Sequence, residues 1–323
     1  MPELPEVEVV RSGLERHLRG SLIESVEVLD PRSLRRDPEG PERFAAALSG
    51  RVLADVARRG KYVWLILADP SAPASALAAG EVGERGVVVH LGMSGQALIK
   101  EPDAARERHL RIRMRLLTPD GAVRDLRFVD QRIFGGMFLD PLVPAADGAP
   151  GASLSALALP LLPASVSHIG RDPLDAHFDA AAFRRRLRRT SSGIKRVLLD
   201  QTVLSGIGNI YADESLWRAR LHYAKPADSL TAAQADAILH ASTEVMTEAL
   251  AAGGTSFDAL YINVNGESGY FERGLNVYGR AGKQCPRCAE LPVPGVIVRE
   301  PFMNRSSYRC PRCQRAPRGF RAG

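Results

Sequence analysis

The feature that most constrains this chain is a pair of short cysteine steps, Cys285-Pro-Arg-Cys288 and Cys310-Pro-Arg-Cys313, which hold all four of its cysteines. Each step puts two thiols on one tight turn. The 21 residues between the steps leave room for a β-hairpin that returns the second pair to the first. Four thiolates gathered in this way suit one tetrahedral zinc ion with no open coordination position. Such a site is structural and holds together a segment too small for its own core. Two reversible disulfides or free thiols are the plain alternative. Disulfide proteins usually spread their bridges across the fold, so the doubled step favours a reducing compartment, and a cytoplasmic protein is expected.

A length of 323 residues predicts about two domains plus an appendage. With 45% hydrophobic and 25% charged residues, wholesale disorder is excluded. No apolar run approaches the roughly 20 residues of a membrane span, and the first ten residues lack a secretory apolar core, so no membrane partner is expected. The net charge of +6 permits a polyanionic partner without demanding one.

Val7, Val10, Leu14 and Leu18 recur at helical spacing behind Pro5, which suits a first turn. Residues 51–67, 86–99, 110–117 and 123–128 read as strands, the last two joined by the turn signal Pro119-Asp120-Gly121. The Ala/Pro/Gly/Ser-rich stretch 141–163 has Asp147 as its one charge and reads as a linker or surface excursion. Helical patterns follow at 183–189, 194–199, 210–220 and 231–252, the last opened by a Thr231/Gln234 capping box and closed by Gly253-Gly254. The expected division is 2–140, a helix followed by a β-rich body; 141–163, a linker or surface excursion; 164–280, a helical domain; and 281–315, a zinc finger.

Three features carry chemistry. Arg287, Arg305, Arg309, Arg312, Arg315, Arg318 and Arg321 stud the cysteine segment, which suits phosphate contact, although a solvated basic tail has the same composition. Arg184, Arg185, Arg186, Arg188, Arg189, Lys195 and Arg196 form an acid-free run ahead of Leu204-Ser-Gly-Ile-Gly-Asn209, and glycines let backbone N–H groups approach an anion. Met-Pro at the start favours removal of Met1, which exposes Pro2 as a secondary amine. An α-amino group titrates near pH 8, and a following helix N-terminus pushes it toward the neutral, nucleophilic form. Such an amine can form an iminium with a sugar carbon, with Glu3 beside it as general acid.

Pro2-Glu-Leu-Pro-Glu-Val-Glu8, Gly60-Lys61-Tyr62, His90-Leu-Gly-Met-Ser-Gly95, Gly206-Ile-Gly-Asn-Ile-Tyr-Ala212, Gly269-Tyr-Phe271 and Val277-Tyr-Gly-Arg280 occur in order before the cysteines. From end to end, the chain resembles bacterial formamidopyrimidine-DNA glycosylases. The opening Pro-Glu-Leu-Pro-Glu favours this branch over the related endonuclease VIII branch. The resemblance implies an α+β protein: an N-terminal helix plus β-sandwich domain, a helical helix–two-turn–helix domain and a zinc-finger β-hairpin. It implies a monomer acting on duplex DNA at oxidised purines or abasic sites, nucleoid-associated, with one structural zinc ion on Cys285, Cys288, Cys310 and Cys313.

The same resemblance makes Pro2 the nucleophile at the deoxyribose C1′ and Glu3 the acid at the ring oxygen, with Lys61 beside the damaged nucleotide. It places Glu6 in the base pocket, and makes Met93, Arg132 and Phe134 the residues that fill the void left by the flipped nucleotide. His109, Lys195, Asn209, Arg132 and Arg305 become DNA contacts. Two departures stand out: the family's usual Asp-Pro-Arg-Arg-Phe-Gly is Asp130-Gln-Arg-Ile-Phe-Gly135 here, and Asp258 stands in the loop 254–269 where a lysine is common. The alternatives are an endonuclease VIII-like enzyme for oxidised pyrimidines and a non-catalytic DNA-binding paralogue.

Overall fold

The computed structural model describes residues 2–254, 264–265 and 274–320. The chain divides into two units: Met1–His168 with Ala252–Tyr270, and Ile169–Ala251 with Phe271–Gly323. The stretch expected to run unbroken through 164–280 is therefore split. Val264, beyond the long last helix, buries its side chain in the core of the first unit and accepts a hydrogen bond from Ile99 N–H. The loop signals at Asp258 and Gly269-Tyr-Phe271, and Arg321, lie outside the described residues.

The first unit begins with α1 (Leu4–Leu18), whose Val7, Val10, Leu14 and Leu18 are all buried, as their spacing predicts. Nine antiparallel strands follow: β1 (Leu22–Val28), β2 (Val52–Arg59), β3 (Tyr62–Ala68), β4 (Arg85–His90), β5 (Gly95–Lys100), β6 (Leu110–Leu117), β7 (Val123–Asp130), β8 (Gly136–Pro144) and β9 (Leu161–Pro163). Two short helices, α2 (Gly40–Leu48) and α3 (Ala74–Ala78), interrupt them. The strand order is β5-β7-β6-β1-β2-β3-β4-β8-β9.

Between β1 and β2 the ladder narrows to one register pair, Leu22 with Val52, whereas β1 follows β6 along its length. The sheet folds there into two layers that share one core, in which Ile112, Met114 and Phe128 of one layer join Val56, Leu65 and Val89 of the other. α1 packs against β2, β3 and β5, and so touches both layers. This is the β-sandwich that the resemblance implies.

Of the two readings of residues 141–163, linker or surface excursion, the packing contradicts the linker. These residues open with the last residues of β8 and close with β9, which pairs back on it. Between these strands, Ser153 and Leu154 exchange hydrogen bonds with the Arg58 backbone, and the Leu157 N–H donates to buried Asp55. Gly151 lies so close to Leu161 that a Cβ would stand 2.1 Å from its carbonyl oxygen. Small residues here permit tight packing of backbone on sheet.

The second unit carries α4 (Ala180–Leu187), α5 (Ile194–Leu198), α6 (Asn209–Arg218) and α7 (Ala232–Ala251), then the hairpin β10 (Val298–Phe302) and β11 (Arg305–Arg309). The capping box on α7 forms in both directions, Thr231 N–H to Gln234 Oε1 and Gln234 N–H to Thr231 Oγ1, each 3.2 Å. Among the described residues, no helix is long and apolar enough to cross a membrane.

Candidate functional site

Pro2 and Glu3 precede α1, and Glu3 is its N-cap. A capping box closes the turn: the Glu3 carboxylate accepts from the Glu6 N–H, and Glu6 Oε2 accepts the Glu3 N–H at 2.9 Å. Both residues are nearly buried, at 4% and 8% exposure, and the N-terminus of this 15-residue helix follows Pro2 directly. Gly254, at φ +84°, packs on Glu6, where a Cβ would stand 3.3 Å from Oε1.

Lys61 belongs to the two-residue loop of the β2–β3 hairpin, where Gly60 supplies the positive φ such loops need. That loop is tied to α1. Wholly buried Arg58 donates to Glu8 Oε2 at 2.7 Å and to the Gly60 carbonyl at 3.0 Å. His90 stacks on Tyr62, with ring centroids 5.6 Å apart. Burial first, and then the positive charges of Arg36 and Arg35, lower its pKa to about 4.

Met93, Arg132 and Phe134 come together on two adjoining turns. Met93 and Phe134 are exposed, at 38% and 51%, as is Arg132. Beneath them Asp130, 0% exposed, accepts the Ser94 hydroxyl, the Arg132 N–H at 3.1 Å and the Gly135 N–H at 2.8 Å. Gly92 lets the turns touch through their backbones, since a Cβ there would lie 2.5 Å from Gly135 N. Half-buried His109 adjoins the same group, its carbonyl accepting the Asp130 N–H at 3.0 Å.

In the second unit, Lys195 is not a surface cation. It is fully buried, with Nζ 2.6 Å from Asp213 Oδ1 and 3.2 Å from the Ser306 carbonyl. This corrects the expectation of a direct phosphate contact: an ammonium enclosed by its counter-ion has no face left for DNA. Asn209 donates to the same carbonyl at 2.9 Å. Asp213 also accepts Ser307 Oγ and the Tyr308 N–H, both at 2.9 Å, so α5 and α6 together hold the hairpin strand that begins at exposed Arg305. Of the cationic run, Arg184 and Arg185 pair with Asp236 and Asp179, while Arg186, Arg188, Arg189 and Arg196 are exposed.

The four cysteine sulfurs lie within 4.8 Å of one another and can hold a metal ion. Cys285 and Cys313 are 3.9 Å apart at sulfur and Cys288 and Cys310 3.8 Å, too far for disulfides. Burial pushes the Cys285 thiol up. The Trp217 indole N–H and the backbone N–H groups of Cys288 and Arg287 outweigh it and bring the pKa down to about 7.

Residues 1–137 match the profile of the formamidopyrimidine-DNA glycosylase N-terminal domain, and residues 169–260 that of the formamidopyrimidine-DNA glycosylase H2TH domain. Formamidopyrimidine-DNA glycosylases of Kineococcus radiotolerans and Rhodococcus opacus are 54% and 55% identical to it. Each match covers 98% of this chain, and 99% and 98% of those proteins. The chain belongs to the formamidopyrimidine-DNA glycosylase family. Solved structures agree: a Lactococcus lactis Fpg complex with abasic-site DNA matches 97% of this chain and all of that one, with TM-score 0.74 and 29% identity. A second complex of that enzyme, with Fapy-dG DNA, matches with TM-score 0.73.

The fold adds supports that the motifs alone do not reveal. Asp130, which opens the Asp130–Gly135 motif, and Arg58, two residues before Gly60-Lys61-Tyr62, are buried charges. Charge alone does not mark them out, since β2 also carries Asp55 and Arg59, and β7 also carries Arg124, Asp125 and Arg127. Glu214 accepts three backbone N–H groups from Asn276, Val277 and Tyr278 at 2.8–3.0 Å, and thereby shapes the Val277-Tyr-Gly-Arg280 motif. Two arginines of the finger serve the fold: Arg287 stacks 3.9 Å over Trp217, and Arg309 pairs bidentately with Glu300.

Proposed function

We propose that the chain is a bifunctional DNA glycosylase and abasic-site lyase of base excision repair, removing 8-oxoguanine and formamidopyrimidines from duplex DNA. The observation that carries this reading is the arrangement of its first unit. Three exposed side chains suited to wedging, Met93, Arg132 and Phe134, are fixed on one buried carboxylate, in the unit whose first helix begins at Pro2 and Glu3.

Extrusion of a nucleotide costs a few kcal/mol, which apolar wedges and phosphate contacts offset. Met93 and Phe134 fill the space left behind, and Arg132 hydrogen-bonds the orphaned base. Once Met1 is removed, the Pro2 amine attacks C1′ as its free base while the bond to the base breaks. Glu3 protonates the ring oxygen, the sugar opens, and an iminium forms. The iminium acidifies the C2′ proton, so β-elimination breaks the 3′ C–O bond and δ-elimination the 5′ one. A one-nucleotide gap with phosphate ends remains. Lys61 and His109 contribute charge and hydrogen bonds to the flanking phosphates, Glu6 lines the base pocket, and Asn209 and Arg305 serve the backbone from the second unit.

The cysteine cluster suits zinc. Tetrahedral Zn–S bonds of about 2.3 Å require sulfurs about 3.8 Å apart, close to the 3.8 and 3.9 Å separations present. Zinc bound there supplies cross-linking and no reaction chemistry. Its residues shape the hairpin on which Arg305 stands.

Borohydride trapping on a duplex with 8-oxoguanine opposite cytosine tests the reading. Wild type yields a covalent conjugate at Pro2, whereas Pro2→Gly and Glu3→Gln lose excision. A conjugate formed equally well by chain retaining Met1 removes Pro2 from the role, and a preference for oxidised pyrimidines moves the protein to the endonuclease VIII class.

A further inference from the structure

The loop that carries Arg132 and Phe134 has an unusual backbone. Ile133 between them adopts φ +56°, a left-handed conformation that β-branched residues rarely take. The proline and second arginine of the family pattern are absent here, replaced by Gln131 and Ile133. A proline would stiffen this loop by fixing its own φ, and Gln131 does not.

Arg35, nearly 100 residues earlier in the chain, reaches the loop from its carbonyl side. Its guanidinium donates from Nη1 to the Ile133 carbonyl and from Nη2 to the Phe134 carbonyl, the latter at 2.6 Å. The planar fork matches two neighbouring carbonyls, as a lysine cannot. Its own base is firm. Arg35 follows the tight turn Pro31–Leu34, whose Ser33 carbonyl lies against Gly136 so closely that a Cβ there would stand 2.3 Å away. Two residues further on, Asp37 accepts the Leu139 N–H at 2.8 Å. Asp130 grips the loop by its N–H groups, and Arg35 grips it by its carbonyls.

We propose that Arg35 is a positioning residue that clamps the left-handed Ile133 turn so that Arg132 and Phe134 are presented to the DNA. This rests on the wedge assignment made above. Because an abasic nucleotide is already unstacked, the clamp matters most for intact lesions.

The test compares wild type, Arg35→Ala, Arg35→Lys and Arg35→Ala/Ile133→Asn, all as full-length folded protein. In single-turnover assays Arg35→Ala should lose about tenfold on 8-oxoguanine opposite cytosine, and no more than about twofold on a preformed abasic site. Arg35→Lys should fall between. Asparagine tolerates positive φ, so Ile133→Asn should restore at least threefold of the lost rate, which it cannot do if Arg35 acts on DNA directly. Hydrogen exchange of the Arg132 and Gly135 amides should quicken at least tenfold in Arg35→Ala. Equal losses on both substrates, unchanged exchange, or a salt dependence of binding reduced by about one phosphate contact each overturn the clamp. Wild type that excises no lesion overturns the functional reading instead, and the exchange measurement still decides whether Arg35 holds the loop.

Discussion

The hydroxyl of Ser94 donates to the buried carboxylate of Asp130, and that bond joins the turn bearing Met93 to the loop bearing Arg132 and Phe134. Asp130→Ala leaves the Ser94 hydroxyl and the Gly135 N–H without their acceptor, and the Arg132 N–H with Ser94 Oγ alone. Each lost bond of this kind costs about 1–3 kcal/mol, not fully additively, so urea unfolding should show a loss of about 2–4 kcal/mol. Asp130→Asn keeps one acceptor oxygen and should lose less.

Phe134 separates function from stability. With half its surface exposed it contributes little to the core, and Phe134→Ala should change unfolding free energy by less than about 0.5 kcal/mol. Excision of 8-oxoguanine should nevertheless fall at least tenfold, because the void is left unfilled. Equal rates for the two proteins in a single-turnover assay end the wedge assignment.

Lys195 and Arg305 should respond in opposite ways. Lys195→Met strands the buried Asp213 carboxylate, a change that typically costs about 3–5 kcal/mol, so its melting temperature should drop sharply. Arg305→Ala should leave stability intact while the slope of log affinity against log salt becomes shallower by about one contact. A lysine variant as stable as wild type contradicts the ion pair.

Acid should expose His90. Its folded pKa of about 4 lies below the ordinary 6.5, so the neutral ring contributes stability fully above about pH 6.5, and that contribution is lost as pH falls toward 4. Between pH 7.5 and pH 5, wild type should lose about 1–2 kcal/mol more than His90→Gln in denaturant titrations. Parallel pH profiles contradict the buried, neutral ring.

One zinc ion per chain is expected by elemental analysis. Thiol-reactive displacement should release it and weaken DNA binding at least tenfold, whereas magnesium chelation should leave excision unchanged. Zinc loss without any effect on affinity would detach the hairpin from DNA contact.

Periodicity and chemistry that depend on neighbours in the chain were legible in the amino-acid order. Val7, Val10, Leu14 and Leu18 marked the buried stripe of α1, the Pro119-Asp120-Gly121 turn placed β6 and β7, and Thr231 with Gln234 capped α7. The doubled cysteine step predicted the four-sulfur cluster because the hairpin between the steps is a local object. Burial and pairing between distant residues were decided only by the tertiary structure. Lys195 and Arg287 looked like phosphate ligands because charge alone does not reveal a counter-ion or a ring waiting elsewhere in the fold. Residues 141–163 read as either a linker or a surface excursion because small residues suit both loose chain and backbone packed hard on a sheet. Arg35 carried no signal at all, since its meaning lies in two carbonyls that the folded backbone alone brings within reach.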